Sequence, residues 1–264
     1  MRKYDIEIVS HAYAVTLPVY RTHLKYQLAS LFHFTHVDID VRYSVFTSLD
    51  DAKTIEYLHQ AKAFMPSNIE INVRVVPNGS LFRRAVGRNI QALAAEARVY
   101  WYVDCDYMFG ENCLMSLLEQ VDETSGLVFP RYVKINPDHT TGDRMCSGIT
   151  DYDMFPNFDD QLFIPRQQKL AIGGVHIIGV NRLLEVNPKT NEPFGYINGH
   201  RKCQPVDEAD GFRSCRCDVF FKGQHQPATQ INIQNVFRIR HSSAGRVFNL
   251  AGERTKPMPE SGHD

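Results

Sequence analysis

The segment VYWYV at positions 99–103 constrains the fold of this chain more than any other stretch. It is an unbroken run of apolar and aromatic side chains that stops at Asp104-Cys105-Asp106. A strand with one wet face alternates polar and apolar residues, whereas a parallel strand covered on both faces reads as continuous. The run therefore predicts a central, buried strand, and two carboxylates one residue apart close it. In parallel sheets the ligand lies beyond the carboxyl ends of the strands, where these two acids fall.

The segments ahead of the run support that placement. Ile6-Glu7-Ile8-Val9 predicts a first strand, and Leu24, Leu28, Leu31 and Phe32 recur as one helical face. Residues 41–46 predict a second strand, followed by a helix carrying Ile55 and Leu58. Residues 69–76 alternate as a third strand and meet the turn signal Pro77-Asn78-Gly79. Val86, Ile90, Leu93, Ala94 and Ala97 give the clearest helical period, and Leu114, Leu117, Leu118 and Val121 give a short helix after the run. This β-α-β-α-β-α-β order implies an α/β fold with a mostly parallel, Rossmann-like sheet flanked by helices.

The second half is less regular. Residues 127–135 predict a strand, and 136–168 a long polar segment that is mobile or faces substrate. Residues 173–180 are apolar again, and 235–240 predict a last strand leading into HSSAG. The expectation is a single domain over 1–250, with an irregular acceptor-side half at 111–250 and a loosely ordered tail at 251–264.

Composition excludes several classes. The chain has 264 residues, 43% hydrophobic, with a net charge of −1, so no global field favours a polyanion. No apolar run approaches the ~20 residues of a membrane span. The N-terminal MRKYDIEIVSHAYA is interrupted by Asp5 and Glu7 and reads as a strand rather than an export signal. Six cysteines in a chain of this length do not make a disulfide scaffold, and a reducing cytoplasm fits them.

Asp-x-Asp occurs three times, at Asp38-Ile39-Asp40, Asp104-Cys105-Asp106 and Asp151-Tyr152-Asp153, but only the middle one closes a buried strand. On an extended chain side chains at i and i+2 share a side, so both carboxylates face one ligand. Left alone they would repel; Mn²⁺ or Mg²⁺, which takes hard oxygen donors, removes that cost. The competing reading is a pair of solvated acids at a strand end.

With these residues in place, the chain resembles the GT-A fold glycosyltransferases, most closely the family 2 group that uses nucleotide-diphosphate sugars. VDCD at 103–106 is similar to that family's Asp-x-Asp, and AVGRNIQALA at 85–94 to its Ala-Arg-Asn helix start, with Gly87 displaced. PVDEADGFR at 205–213 looks like its acidic segment with Asp207-Glu208 in reversed order, and RIRHSSAG resembles its late metal-binding histidine. Residues 1–110 would then bind the nucleotide sugar. The resemblance implies Asp106 as a direct ligand of Mn²⁺ or Mg²⁺, and His241 as a further one unless it is a surface histidine. Asp104 would contact the ribose or a metal-bound water. Arg88 would face the nucleotide and Arg84 the phosphates, against the alternative of a solvent-exposed helix start. Glu208 would be the base of an inverting transfer, with Asp207 and Asp210 as rivals. The acidic stretch that holds the nucleotide base in the family is replaced by FTSLDDAK, where Asp50 or Asp51 would do that work for a UDP-linked donor. IGGVHIIGVNR at 172–182 resembles the segment before the acceptor site, or is a buried strand with a bulge. The acceptor class stays open between a glycan, a small molecule, a protein and a modified nucleic-acid base.

Two rivals compete. His200, Cys203, Cys215 and Cys217 give a spacing that would suit a structural Zn²⁺ site on a non-catalytic sugar-binding domain. A nucleotidyltransferase acting on sugar phosphates would share the metal-binding carboxylate. It usually carries a glycine-rich loop after the first strand, and SHAYAVTLPVYR has no glycine.

Overall fold

The computed structural model describes residues 2–15, 17–172, 174–206 and 216–242, with the backbone alone of 247–248 and 254–256. The first half runs β1 (Tyr4–His11), α1 (Val19–Phe34), β2 (Val41–Ser48), α2 (Ala52–Phe64), β3 (Ile69–Val76), the single turn α3 (Asn78–Leu81), α4 (Arg84–Ala94) and β4 (Ala97–Tyr102). Then come β5 (Tyr107–Phe109), α5 (Cys113–Leu118), β6 (Val128–Pro130), β7 (Tyr132–Ile135), α6 (His139–Ser147) and β8 (Ile164–Gln167). β9 (His176–Gly179), α7 (Val180–Leu184), a ribbon of β10 (Val186–Asn187) and β11 (Glu192–Pro193), α8 (Cys217–Gln224), β12 (Thr229–Ile231) and β13 (Val236–Arg238) follow.

Seven strands form the main sheet in the order β12-β6-β9-β4-β1-β2-β3. β1, β2, β3 and β4 are mutually parallel, and β12 is parallel to β6, while β9 runs antiparallel between β4 and β6. The expected α/β architecture with a mostly parallel, helix-flanked sheet is borne out. Tyr100, Trp101, Tyr102 and Val103 are wholly buried, as a strand covered on both faces requires. A second sheet, β5-β13-β7-β8, lies beyond the end of β4 and joins early and late chain. Among the described residues no helix is long and apolar enough to cross a membrane.

Four expectations need correction. The apolar period assigned to the fourth helix points outward: Ile90 and Leu93 are exposed, whereas Ala85, Arg88, Gln91 and Ala92 are buried, and Ala97 belongs to β4. The inward polar residues have partners there. Oriented to satisfy both neighbours, the Gln91 amide donates to Glu7 Oε1 and accepts from Arg74 Nε, each at 3.1 Å. A fully bonded buried amide holds the helix in this rotation against about 1.5–3 kcal/mol that burying a Leu or Ile would yield. The Pro77-Asn78-Gly79 turn closes into one helical turn, with Leu81 N donating to Pro77 O at 3.0 Å.

Residues 127–135 are two strands in two sheets. At Arg131 the backbone N–H reaches Ile231 O and the carbonyl accepts from Gln168 N, both at 2.8 Å, so the chain crosses between sheets there. Residues 136–168 hold α6 and β8 rather than one long loop. α6 has no apolar period, and its signal was the cap, Asp138 accepting from Thr141 N at 2.7 Å.

Candidate functional site

The C-terminal edge of β4 carries the site. Val103 N still donates to Val9 O at 3.0 Å, but Tyr107 N then donates to Asp104 O at 3.2 Å. Residues 104–107 are thus a turn, and the expectation that the two acids sit side by side on an extended chain is corrected. The turn is held from below by Gln27 of α1, which is buried. Its Nε2 donates to Asp104 O (3.1 Å) and Tyr107 O (3.0 Å), while its Oε1 accepts from Tyr43 OH at 2.5 Å. A glutamine in the buried face of a helix gave no sign of this role, since its partners are backbone carbonyls remote in sequence.

The turn sends the two carboxylates to different partners. Asp104 Oδ1 is paired with Arg84 Nη1 and accepts from Arg88 Nη2 at 3.2 Å, both arginines standing on α4. Arg88 is fully buried; its Nη1 donates to Tyr196 OH at 2.7 Å, and its guanidinium lies 5.2 Å over that ring. Asn89 Oδ1 accepts from Tyr196 N at 3.0 Å, so the 192–198 segment is locked to α4 by consecutive residues. Burial alone would raise the Asp104 pKa, but the two guanidiniums hold it well below the usual carboxylate range. Gly174 lets the backbone close over this end: a Cβ there would lie 2.6 Å from the Tyr107 ring and 3.3 Å from Asp104 Oδ2.

Asp106 meets the far end of the chain. β13 pairs antiparallel with β5, placing Arg238 opposite Tyr107, and Ile239 N donates to Asp106 O at 2.8 Å. Arg238 Nε donates to Asp106 Oδ2 at 3.0 Å, and His241 Nε2 stands 4.0 Å from the same oxygen. The His241 ring packs on His23 of α1 at 4.3 Å between centroids and edge-on to Tyr20 at 6.1 Å. Its backbone is clamped by the start of α6. His139 Nδ1 donates to His241 O at 2.7 Å, fixing that tautomer, and Asp143 Oδ1 accepts from Ser242 N at 3.0 Å. Gly142 makes room for this clamp, because a Cβ on it would sit 2.0 Å from Arg240 O.

The donor set suits a divalent cation at Asp106 and His241. Among the described residues Asp106 Oδ1 and His241 Nδ1 are buried without hydrogen-bond partners, and burial lowers the His241 pKa, leaving the neutral imidazole that ligates. Among the described residues no group of three His, Cys, Asp or Glu side chains is placed to hold a metal. The residues therefore fit an ion completed by substrate oxygens and water, the way Mg²⁺ is commonly held, rather than a closed protein cage. Asp104 faces the arginines of α4 instead.

The remaining candidates are distributed unevenly. Asp51 caps α2, its Oδ1 accepting from Thr54 N and Arg21 Nη2 at 3.2 Å each, and its Oδ2 is buried without a partner among the described residues. Asp50 is exposed and accepts from Asn78 Nδ2 at 2.8 Å. Asp207, Glu208, Asp210 and Cys215 lie outside the described residues. Of the zinc candidates, Cys203 sits 3.6 Å from Ala85 O, Cys217 is buried and His200 packs 4.4 Å from Phe220. Arg238 was missed by the sequence reading, although it stands three residues before His241 on the predicted strand.

No family model matches the chain, and no curated protein matches it. Two solved structures of TarS from S. aureus are similar. A crystal structure of TarS aligns with a TM-score of 0.50 and 12% identity over 89% of this chain and 36% of that one. TarS 1-349 aligns with a TM-score of 0.51 and 10% identity over 89% of this chain and 60% of that one. This chain thus spans less than two thirds of either. At such identities the likeness is one of fold, and that fold is GT-A, as the sequence motifs implied.

Proposed function

We propose that this chain is an inverting glycosyltransferase that moves a sugar from a UDP-linked donor to a hydroxyl group of a glycan, a small molecule or a modified nucleic-acid base. The observation that carries the reading is the pair Asp104 and Asp106 at the edge of β4, one facing the α4 arginines and the other facing Arg238 and His241. A site that binds only an acid-stabilising structural pair has no use for an orphaned carboxylate oxygen beside an orphaned imidazole.

In this reading Arg84 and Arg88 orient the donor diphosphate by charge-assisted hydrogen bonds. Asp106 and His241 hold Mn²⁺ or Mg²⁺, which when bound offsets the charge that grows on the diphosphate. Asp51 offers its unpartnered Oδ2 as an acceptor for the nucleotide base, with Asp50 beside it. Glu208, or Asp207 or Asp210, takes the proton from the acceptor hydroxyl. That oxygen bonds to the anomeric carbon from one face while the bond to phosphate breaks on the other.

A thermal-shift screen of UDP-, GDP-, CMP- and dTDP-linked compounds, with and without Mn²⁺, tests the reading. A ligand binding only the folded chain stabilises it by about 2.7 kcal/mol at a hundredfold excess over Kd. The expected result is a Mn²⁺-dependent rise with the UDP compounds. A flat response to all four classes would overturn the donor-site assignment.

A further inference from the structure

We infer that Arg238 is a phosphate-binding residue, set beside the turn of the site by Asp106 and Tyr107 so that the guanidinium nitrogens not engaged by Asp106 receive the departing diphosphate. The inference rests on the donor-site reading above and adds a residue that neither the motifs nor the fold assigns.

Three features lead to it. Arg238 uses only Nε on Asp106, and among the described residues its two terminal nitrogens make no ion pair. A guanidinium serving only to neutralise a carboxylate usually meets it in a two-bond fork; here half of the fork is left over. The Arg238 side chain is also about a third exposed, at 34%, whereas that of Asp106 is 7% exposed, so the arginine is the open member of the pair. Its plane is steadied by the Tyr107 ring 5.2 Å away, opposite it in the β5–β13 register.

The third feature is position. Arg238 stands opposite Tyr107, the residue that closes the turn carrying both carboxylates, and its Nε is bonded to Asp106 while Asp104 is held by α4. A diphosphate reaching from Arg84 and Arg88 to a cation on Asp106 and His241 passes this guanidinium. The cluster holds three arginines against two aspartates. Among the described residues of the cluster, that leaves one positive charge unmatched before any cation is counted, which favours an anionic ligand. Asp106 then has two tasks, ligating the metal and aiming Arg238.

The test is calorimetric titration of the full chain with inorganic pyrophosphate and with UDP, each in Mn²⁺ and in EDTA. Wild type is compared with Arg238→Gln and Arg238→Lys, and Arg98→Gln serves as the control. Arg98 lies in an exposed pair with Glu123 and is outside the site. Arg238→Gln is expected to weaken pyrophosphate and UDP roughly ten- to hundredfold in both media. Binding of Mn²⁺ alone should change little, and Arg238→Lys, which keeps a charge beside Asp106, should recover part of the loss. Unchanged pyrophosphate binding in Arg238→Gln would overturn the inference while leaving the donor site standing. So would a loss of Mn²⁺ binding equal to the loss of pyrophosphate binding, because Arg238 would then act only as the partner of Asp106. Wild type that binds neither ligand in either medium would overturn the inference together with the reading beneath it.

Discussion

Asp104 and Asp106 are separated by one residue, yet they are neutralised by opposite ends of the chain. The Asp104 end is local: Arg84 and Arg88 stand on the helix that runs directly into β4. The Asp106 end is assembled from β13 and the start of α6, more than 130 positions downstream for Arg238 and His241. The local end has a wholly buried guanidinium shared between a carboxylate and a tyrosine. At the distant end a carboxylate oxygen and an imidazole nitrogen lack hydrogen-bond partners among the described residues, and the arginine side chain is a third exposed. The first end is built as a scaffold with a binding edge, the second as a place where a ligand completes the bonding.

The sharpest way to break that contrast is Arg88→Met. It leaves Asp104 facing Arg84 alone and Tyr196 OH without its donor, so about 3–5 kcal/mol of stability should be lost in urea unfolding. Arg238→Gln, by contrast, should cost much less stability than it costs pyrophosphate affinity. If Arg88→Met unfolds at the same urea concentration as wild type, the scaffold assignment is wrong.

A histidine that meets neither carboxylate gives a reference for burial without ligand. His225 is buried among Phe194 and Phe221, and burial lowers its pKa to about 4 from 6.5. The unfolded chain takes up that proton first, so stability is fully present above the unfolded pKa and falls as pH drops from 6.5 toward 4. Between pH 7 and 5, wild type should therefore lose about 2 kcal/mol more than His225→Phe. Equal losses in the two proteins would refute it.

The finest discrimination comes from two glycines. Gly142→Ala forces the methyl against the Arg240 carbonyl and displaces His241, whereas Gly174→Ala presses on Tyr107 beside Asp104. Each should cost about 1–3 kcal/mol of stability. Only Gly142→Ala should also weaken Mn²⁺ binding, measured by calorimetry on protein that still melts cooperatively. Equal loss of Mn²⁺ in both variants would merge the two ends into one.

Much of the fold could be read along the chain because its signals are local. Residues 69–76 alternate and form β3 over that whole span, and VYWYV continues through Val103 as a buried strand because both faces of β4 are covered. The rotation of α4 could not be read this way. Its apolar positions Ile90 and Leu93 promised an inward face, but Gln91 has partners on β1 and β3 and Arg88 has partners in the 104–107 turn and at Tyr196 that periodicity does not register. Asp104 was legible because it closes the buried run, and Arg84 and Arg88 were legible through the resemblance of the helix start around 85–94 to a family motif. Arg238 was not, because its importance comes from one register, Arg238 opposite Tyr107.

The sequence by itself determined the parallel sheet, the edge at which its ligand site lies and the acids that mark it, because hydrophobic period and chain order are properties of neighbours. Only the tertiary structure decided that residues 104–107 turn, that Asp104 and Asp106 face different partners, and that β13 returns beside β5 to bring Arg238 and His241 to Asp106. Those outcomes depend on contacts between residues far apart in the chain, whose free energy appears only when the sheet has closed and water has left the space between them.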